Sequence, residues 1–184
     1  MNRTKQSGWV LCRKLIIVLV ACLGGCAPTT KIQPLSEQAA PERFQNVAVG
    51  EISAKDAQWN AYSAQLRGNL VVALIKTGMF VRVMDPAPQP LPPSTVFVTG
   101  QVTEADPGGP NAPYLGWGPL GAHLTVEFQL IDAKGTAVGR FSAGARFEWN
   151  STFMTFTGFD DLIHNIGRDA AAAIARWCTT GRLE

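Results

Sequence analysis

The chain has 184 residues, 46% of them hydrophobic and 16% charged, with 16 Lys and Arg against 14 Asp and Glu. That length suits one domain with a modest core, since domains commonly run to about 100–150 residues. Four of the basic residues, Arg3, Lys5, Arg13 and Lys14, precede the apolar run Leu15–Leu23; without them 12 basic residues face 14 acidic ones, which leaves no basic footprint for nucleic acid.

The run LIIVLVACL is nine residues long. As a helix it reaches about 14 Å, well short of a hydrocarbon core of about 30 Å. A basic start, a short apolar centre and small residues at its end mark a secretory signal instead. Leu23-Gly24-Gly25-Cys26 then resembles the lipobox of bacterial lipoproteins. The resemblance implies that residues 1–25 are cleaved off and that the Cys26 thiol carries a diacylglyceryl group, with the new amino terminus also acylated. Ala27, rather than Asp, after the cysteine implies sorting to the outer membrane, facing the periplasm. Such an anchor holds firmly, because each buried methylene contributes about 0.8 kcal/mol and two chains suffice. Cys12 and Cys22 leave with the signal, so Cys178 is the one thiol of the mature domain and no internal disulfide can form. It is expected to be packed on an apolar helix, with pairing between chains as the alternative.

Residues 26–43 read as the lipidated cysteine and a flexible tether: Ala27–Arg43 is polar, holds three prolines and lacks periodicity. Its 17 residues reach about 55 Å at most, which would hang the domain (44–184) clear of the bilayer. Within Phe44–Ile52, Val47 and Val49 alternate as in a strand. Ser53-Ala-Lys-Asp56 fits a capping box. Trp59, Tyr62, Leu66, Leu70, Ala73 and Leu74 recur at helical steps as one buried stripe, and Gly78 ends the helix. Met79–Met84 is the next strand. Five prolines then make residues 85–94 a loop, and Thr95–Glu104 is a third strand.

Asp106–Gly121 is a long Gly/Pro loop carrying Tyr114 and Trp117. Exposed aromatics on a loop often mark recognition, so these two are the candidate partner-binding residues; the alternative is that they fold back over the sheet. Beyond the loop, Leu124, Val126, Phe128 and Leu130 alternate with polar residues. Ala133-Lys134-Gly135 turns the chain, and Phe141, Ala143, Ala145, Phe147 and Trp149 alternate again: a hairpin with one apolar face. Thr157-Gly-Phe-Asp160 is a second capping-box pattern. The closing helix follows with the stripe Leu162, Ile163, Ile166, Ala170, Ala173, Ile174 and Trp177. The fold class expected is α+β: a two-layer mixed sheet of about five strands, in the order β-α-β-β-β-β-α, with two helices packed on one face.

Little here points to catalysis. Gly116–Gly121 spells GxGxxG, but it precedes a strand and contains Pro119, whereas a dinucleotide turn must open a helix. His123 and His164 have no partners at metal-ligand spacing. Asp160 and Asp161 are adjacent on a helix and diverge by about 100 degrees, which suits capping rather than paired acid–base work. No catalytic residue, metal or cofactor is therefore expected, and no enzyme.

The strand, helix, Gly78-Met-Phe80 turn, strand, Asp132-Ala-Lys-Gly135 hairpin and final helix, with LIKTGMFVRV above all, resemble a group of envelope lipoproteins. They share the fold of the amino-terminal domain of the Tol-Pal propeller protein and include the curli-secretion channel lipoprotein. The likeness spans roughly residues 44–178 and implies a sheet covered by two helices and used for protein contacts. It defines no catalytic residue. The function expected is a non-enzymatic adaptor or assembly factor in a cell-envelope complex, held to the bilayer through Cys26. The alternatives are an oligomeric pore or secretion subunit, whose 122–149 hairpin would enter a shared barrel, and a small-ligand binder.

Overall fold

The computed structural model describes residues 30–36, 43–108, 121–146 and 158–181. Six strands and two helices run in the order β1 (Thr30–Ser36), β2 (Asn46–Ala54), α1 (Asn60–Thr77), β3 (Arg82–Met84), β4 (Thr95–Asp106), β5 (His123–Ile131), β6 (Ala137–Arg146) and α2 (Phe159–Thr180). A single sheet is built in the spatial order β1-β6-β5-β4-β2-β3. β3 and β4 flank β2 in parallel, and the remaining neighbours are antiparallel. The expected α+β class and the two helices hold, with one strand more than expected.

The additional strand is β1, and it corrects the tether. Residues 30–36 pair with β6 from Thr30↔Ala145 to Ser36↔Arg140, with a register shift between Pro34 and Ser36. Pro34 argued against a strand, because proline cannot donate to a ladder. On an edge strand one row of backbone groups has no partner, so the missing N–H costs nothing there. Ile32 adds the strand's partly buried side chain to the core.

Period-two alternation works as read in β5, where Leu124, Val126, Phe128 and Leu130 are buried between half-exposed neighbours. Phe128 lies opposite Phe141 in register, and the rings stack 5.0 Å apart. The β5–β6 hairpin lies within the sheet between β4 and β1, and its apolar face belongs to the one core cluster that α1 and α2 cover. Those strands are thereby committed to the domain's own core. Phe147 and Trp149 lie outside the described residues.

Helix α2 carries the predicted stripe in full, every one of its seven residues buried, and adds Ala171, Ala175 and Cys178. Trp177 stacks on Phe44 with ring centroids 5.7 Å apart. Gly139 leaves the space for it: a Cβ there would stand 3.4 Å from the Trp177 ring. The helix start lies one residue later than the predicted box, with Asp161 Oδ2 accepting from the Gly158 amide at 3.1 Å.

The first predicted capping box does not form. Ser53 stays in β2, opposite Gln101, because pairing with β4 continues to Ala54↔Val102. Asp56 instead caps a short 3-10 turn, Ala57–Trp59, by accepting from the Gln58 amide. Gly78 closes α1 in the left-handed conformation, with φ 63°, as its position predicts.

Where β2 and β4 slip register between Val49 and Ile52, a guanidinium takes up the loose carbonyl: Arg67 Nε donates to Gly50 O at 2.9 Å and also pairs with Asp85. Gly50 itself is required by close approach, since a Cβ would fall 2.3 Å from the Phe97 ring.

Candidate functional site

Two surfaces stand out, at opposite ends of the sheet. The first is a groove of about 610 Å³ between the 3-10 turn, the first turn of α1 and the adjoining ends of β4 and β5. Gln58, Trp59, Tyr62, Glu104, Asp106, Pro107 and His123 line it. The capped turn sets Trp59 at its wall, and Tyr62, one turn along, tilts against Phe159 of α2 with centroids 4.7 Å apart. Both rings are half-buried.

The polar groups of the groove are held by their own strand ends. Asp106 Oδ1 accepts from the Gly108 amide at 2.8 Å, Glu104 Oε2 accepts from Thr125 Oγ1 at 3.4 Å, and His123 Nδ1 lies 3.1 Å from Gly121 O. This makes an aromatic, acidic hollow suited to recognition by stacking and hydrogen bonding. Among the described residues, no group of three or more His, Cys, Asp or Glu side chains could hold a metal ion.

The second surface is apolar. Among the described residues, four of the five exposed large hydrophobic side chains fall within ten positions: Val72 (49%), Ile75 (60%), Met79 (51%) and Val81 (75%). Such clustering separates a surface feature from scattered exposed side chains. Helix α1 buries Leu66, Leu70 and Leu74, yet Val72 and Ile75 place a second apolar stripe on its outer side. Below them on that side stand Ala61, Ala64 and Gly68, also exposed. The patch continues past Gly78 to the three-residue edge strand β3, which among the described residues pairs only with β2.

Of the residues singled out from sequence, Cys26, Tyr114 and Trp117 lie outside the described residues. His164 is exposed on α2, Asp160 accepts from Gln65 Nε2 at 3.1 Å, and Asp161 caps. Cys178 is a free, buried thiol that burial pushes up to about 12. Sequence reading missed Glu104 and Asp106, which the β2–β4 pairing brings beside Trp59 and the β4–β5 pairing brings beside His123. It also missed the outer stripe of α1, for which a signal existed: VVALI is apolar all round a helix, more than one buried face can use.

Residues 33–148, more than half of the chain, match the family described as a domain of unknown function, DUF4410. The chain belongs to this family. No curated protein matches the DUF4410 chain. Among solved structures it is similar to a single-substitution variant of the PelC dodecamer from Paraburkholderia phytofirmans, at 19% identity and TM-score 0.47, over 76% of this chain and 95% of that one. A second PelC dodecamer from the same organism gives 17% identity and TM-score 0.48, over 76% and 96%. A Xanthomonas campestris protein of family DUF330 gives 12% identity and TM-score 0.44, over 84% and 94%. At these identities and scores the likeness carries no role across to the DUF4410 chain.

Proposed function

We propose that this DUF4410 chain is a lipid-anchored, non-enzymatic adaptor of the cell envelope, fastened to the outer membrane through acylated Cys26 and docking a protein partner on the apolar patch of α1 and β3. The carrying observation is the exposure of Val72, Ile75, Met79 and Val81 together beside an edge strand. Apolar clusters of this kind mark protein contacts, and a short edge strand leaves backbone groups for a partner to pair with. The lipobox-like Leu23–Cys26 supports the address. Among the described residues, no helix is long and apolar enough to cross a membrane.

A photo-crosslinking residue at Ile75 or Val81, used in intact cells, is expected to give a discrete adduct with one envelope protein; the same residue at exposed Lys134 is expected to give none. Equal, diffuse labelling from both places would defeat the reading. A second reading, assembly from copies of this chain, is favoured by the two edges left open among the described residues, β1 on one side of the sheet and β3 on the other. It predicts an adduct of twice the protomer mass.

A further inference from the structure

The start of β1 fixes which end of the domain an anchored chain turns toward the membrane. Thr30 is in register with Ala145, and Ala145 with Leu124; one step further, Arg146 pairs with His123 and His123 with Asp106. Thr30 therefore sits at the sheet end that carries the groove. The hairpin turn Asp132–Gly135 is at the other end, where Ile131 pairs with Ala137.

From Cys26 to Thr30 is four Cα steps, which span about 14 Å at full extension. Strand β5, nine residues long, covers about 30 Å from one sheet end to the other. The available chain is less than half that length, so an anchor at Cys26 holds the Thr30 end next to the bilayer whatever path residues 27–29 take.

Given the acylation of Cys26 that the preceding reading rests on, we propose that the domain stands on the bilayer with its groove end against the lipid headgroups, the apolar patch and the 132–135 turn facing away. What this end presents fits an interface. Trp59 and Tyr62, with apolar bodies and polar tips, line the groove together with Gln58, and rings of this kind favour the headgroup layer. Among the described residues, its charges are Asp56, Glu104, Asp106, Asp160 and Asp161 against Lys31, Lys55 and Arg146. That acidic excess suits a zwitterionic surface rather than an anionic one. The opposite end then offers Met79 and Val81 to partners in the periplasm, away from the lipid.

Two matched variants of the acylated full chain test this, Lys55→Cys at the groove end and Lys134→Cys at the far turn; both lysines are exposed. Cys178 stays unlabelled, being 4% exposed with its thiol pushed up to about 12. Each variant, labelled with a donor dye, is reconstituted in phosphatidylethanolamine/phosphatidylcholine vesicles bearing a headgroup acceptor. Transfer from position 55 is expected to be at least twofold that from position 134. Equal transfer, or more from 134, in protein whose mass carries the acyl chains would overturn the orientation while leaving the anchor intact. An unmodified mass would sink the anchor and the orientation with it.

Discussion

The crossing of the two helices is set by Gly167, and filling that contact gives a prediction whose sign can be worked out. A Cβ at Gly167 would lie 3.0 Å from Asn69 Cβ, 3.2 Å from Leu70 N and 3.3 Å from Asn69 C. Carbon pairs prefer about 3.5–4.0 Å, and two of these three neighbours are backbone atoms of α1, which move only if the helix moves. Replacing a helical glycine returns up to about 1 kcal/mol of backbone entropy, while overpacking costs about 1–3 kcal/mol. Gly167→Val adds two stiff methyl groups in the same place, so a net loss of about 2 kcal/mol is expected, or roughly 4–8 °C in Tm for a chain of this size. Exposed Gly68 on α1 is the control: a Cβ there meets nothing within 4 Å. Gly68→Ala should gain about 0.5–1 kcal/mol from propensity alone. Urea unfolding of the chain in detergent, followed by circular dichroism, reads both as shifts in midpoint at unchanged m. If Gly167→Val unfolds at or above the wild-type midpoint, or Gly68→Ala falls with it, close approach does not set this crossing.

Burial of Cys178 predicts two further results. With its thiol pushed up to about 12 from 9.0, the thiolate at pH 8 is about 10³-fold scarcer than on an unfolded chain, and alkylation of native protein should slow at least accordingly. The folded state also keeps this proton after the unfolded chain has lost it. Stability should therefore fall as pH rises between about 9 and 12, by about 1 kcal/mol per pH unit, and Cys178→Ala should flatten that part of the curve. A third prediction concerns Arg67, whose Nε serves the Gly50 carbonyl while its other arm meets Asp85. Arg67→Ala should cost about 1–2 kcal/mol, and Arg67→Lys should recover little of it, lacking the fork that serves both partners. Asp85→Asn should cost under about 1 kcal/mol, because that pair is about one-third exposed, 34% and 29%. Thermal melts of the three variants rank them.

Local pattern decided much of this molecule. Alternation alone carried the β5–β6 hairpin, because one face had to be apolar to meet a core. Helical spacing carried the stripe of α2, and a left-handed requirement carried the glycine after α1. These are short-range demands of backbone and burial, and each is written within a few residues. Four matters were settled only by the tertiary structure. Thr30–Ser36 became a strand because β6 had an edge to offer, so a segment whose composition reads as tether forms one edge of the sheet. Ser53 remained in β2 because β4 continued alongside it, and the helix began only after Asp56. The groove joins Trp59 to Glu104 and Asp106, 45 and more positions apart, and the outer stripe of α1 stayed exposed because the sheet and α2 fill only its inner side. Such outcomes depend on which partner surface arrives from far along the chain, and a local pattern of side chains does not encode that.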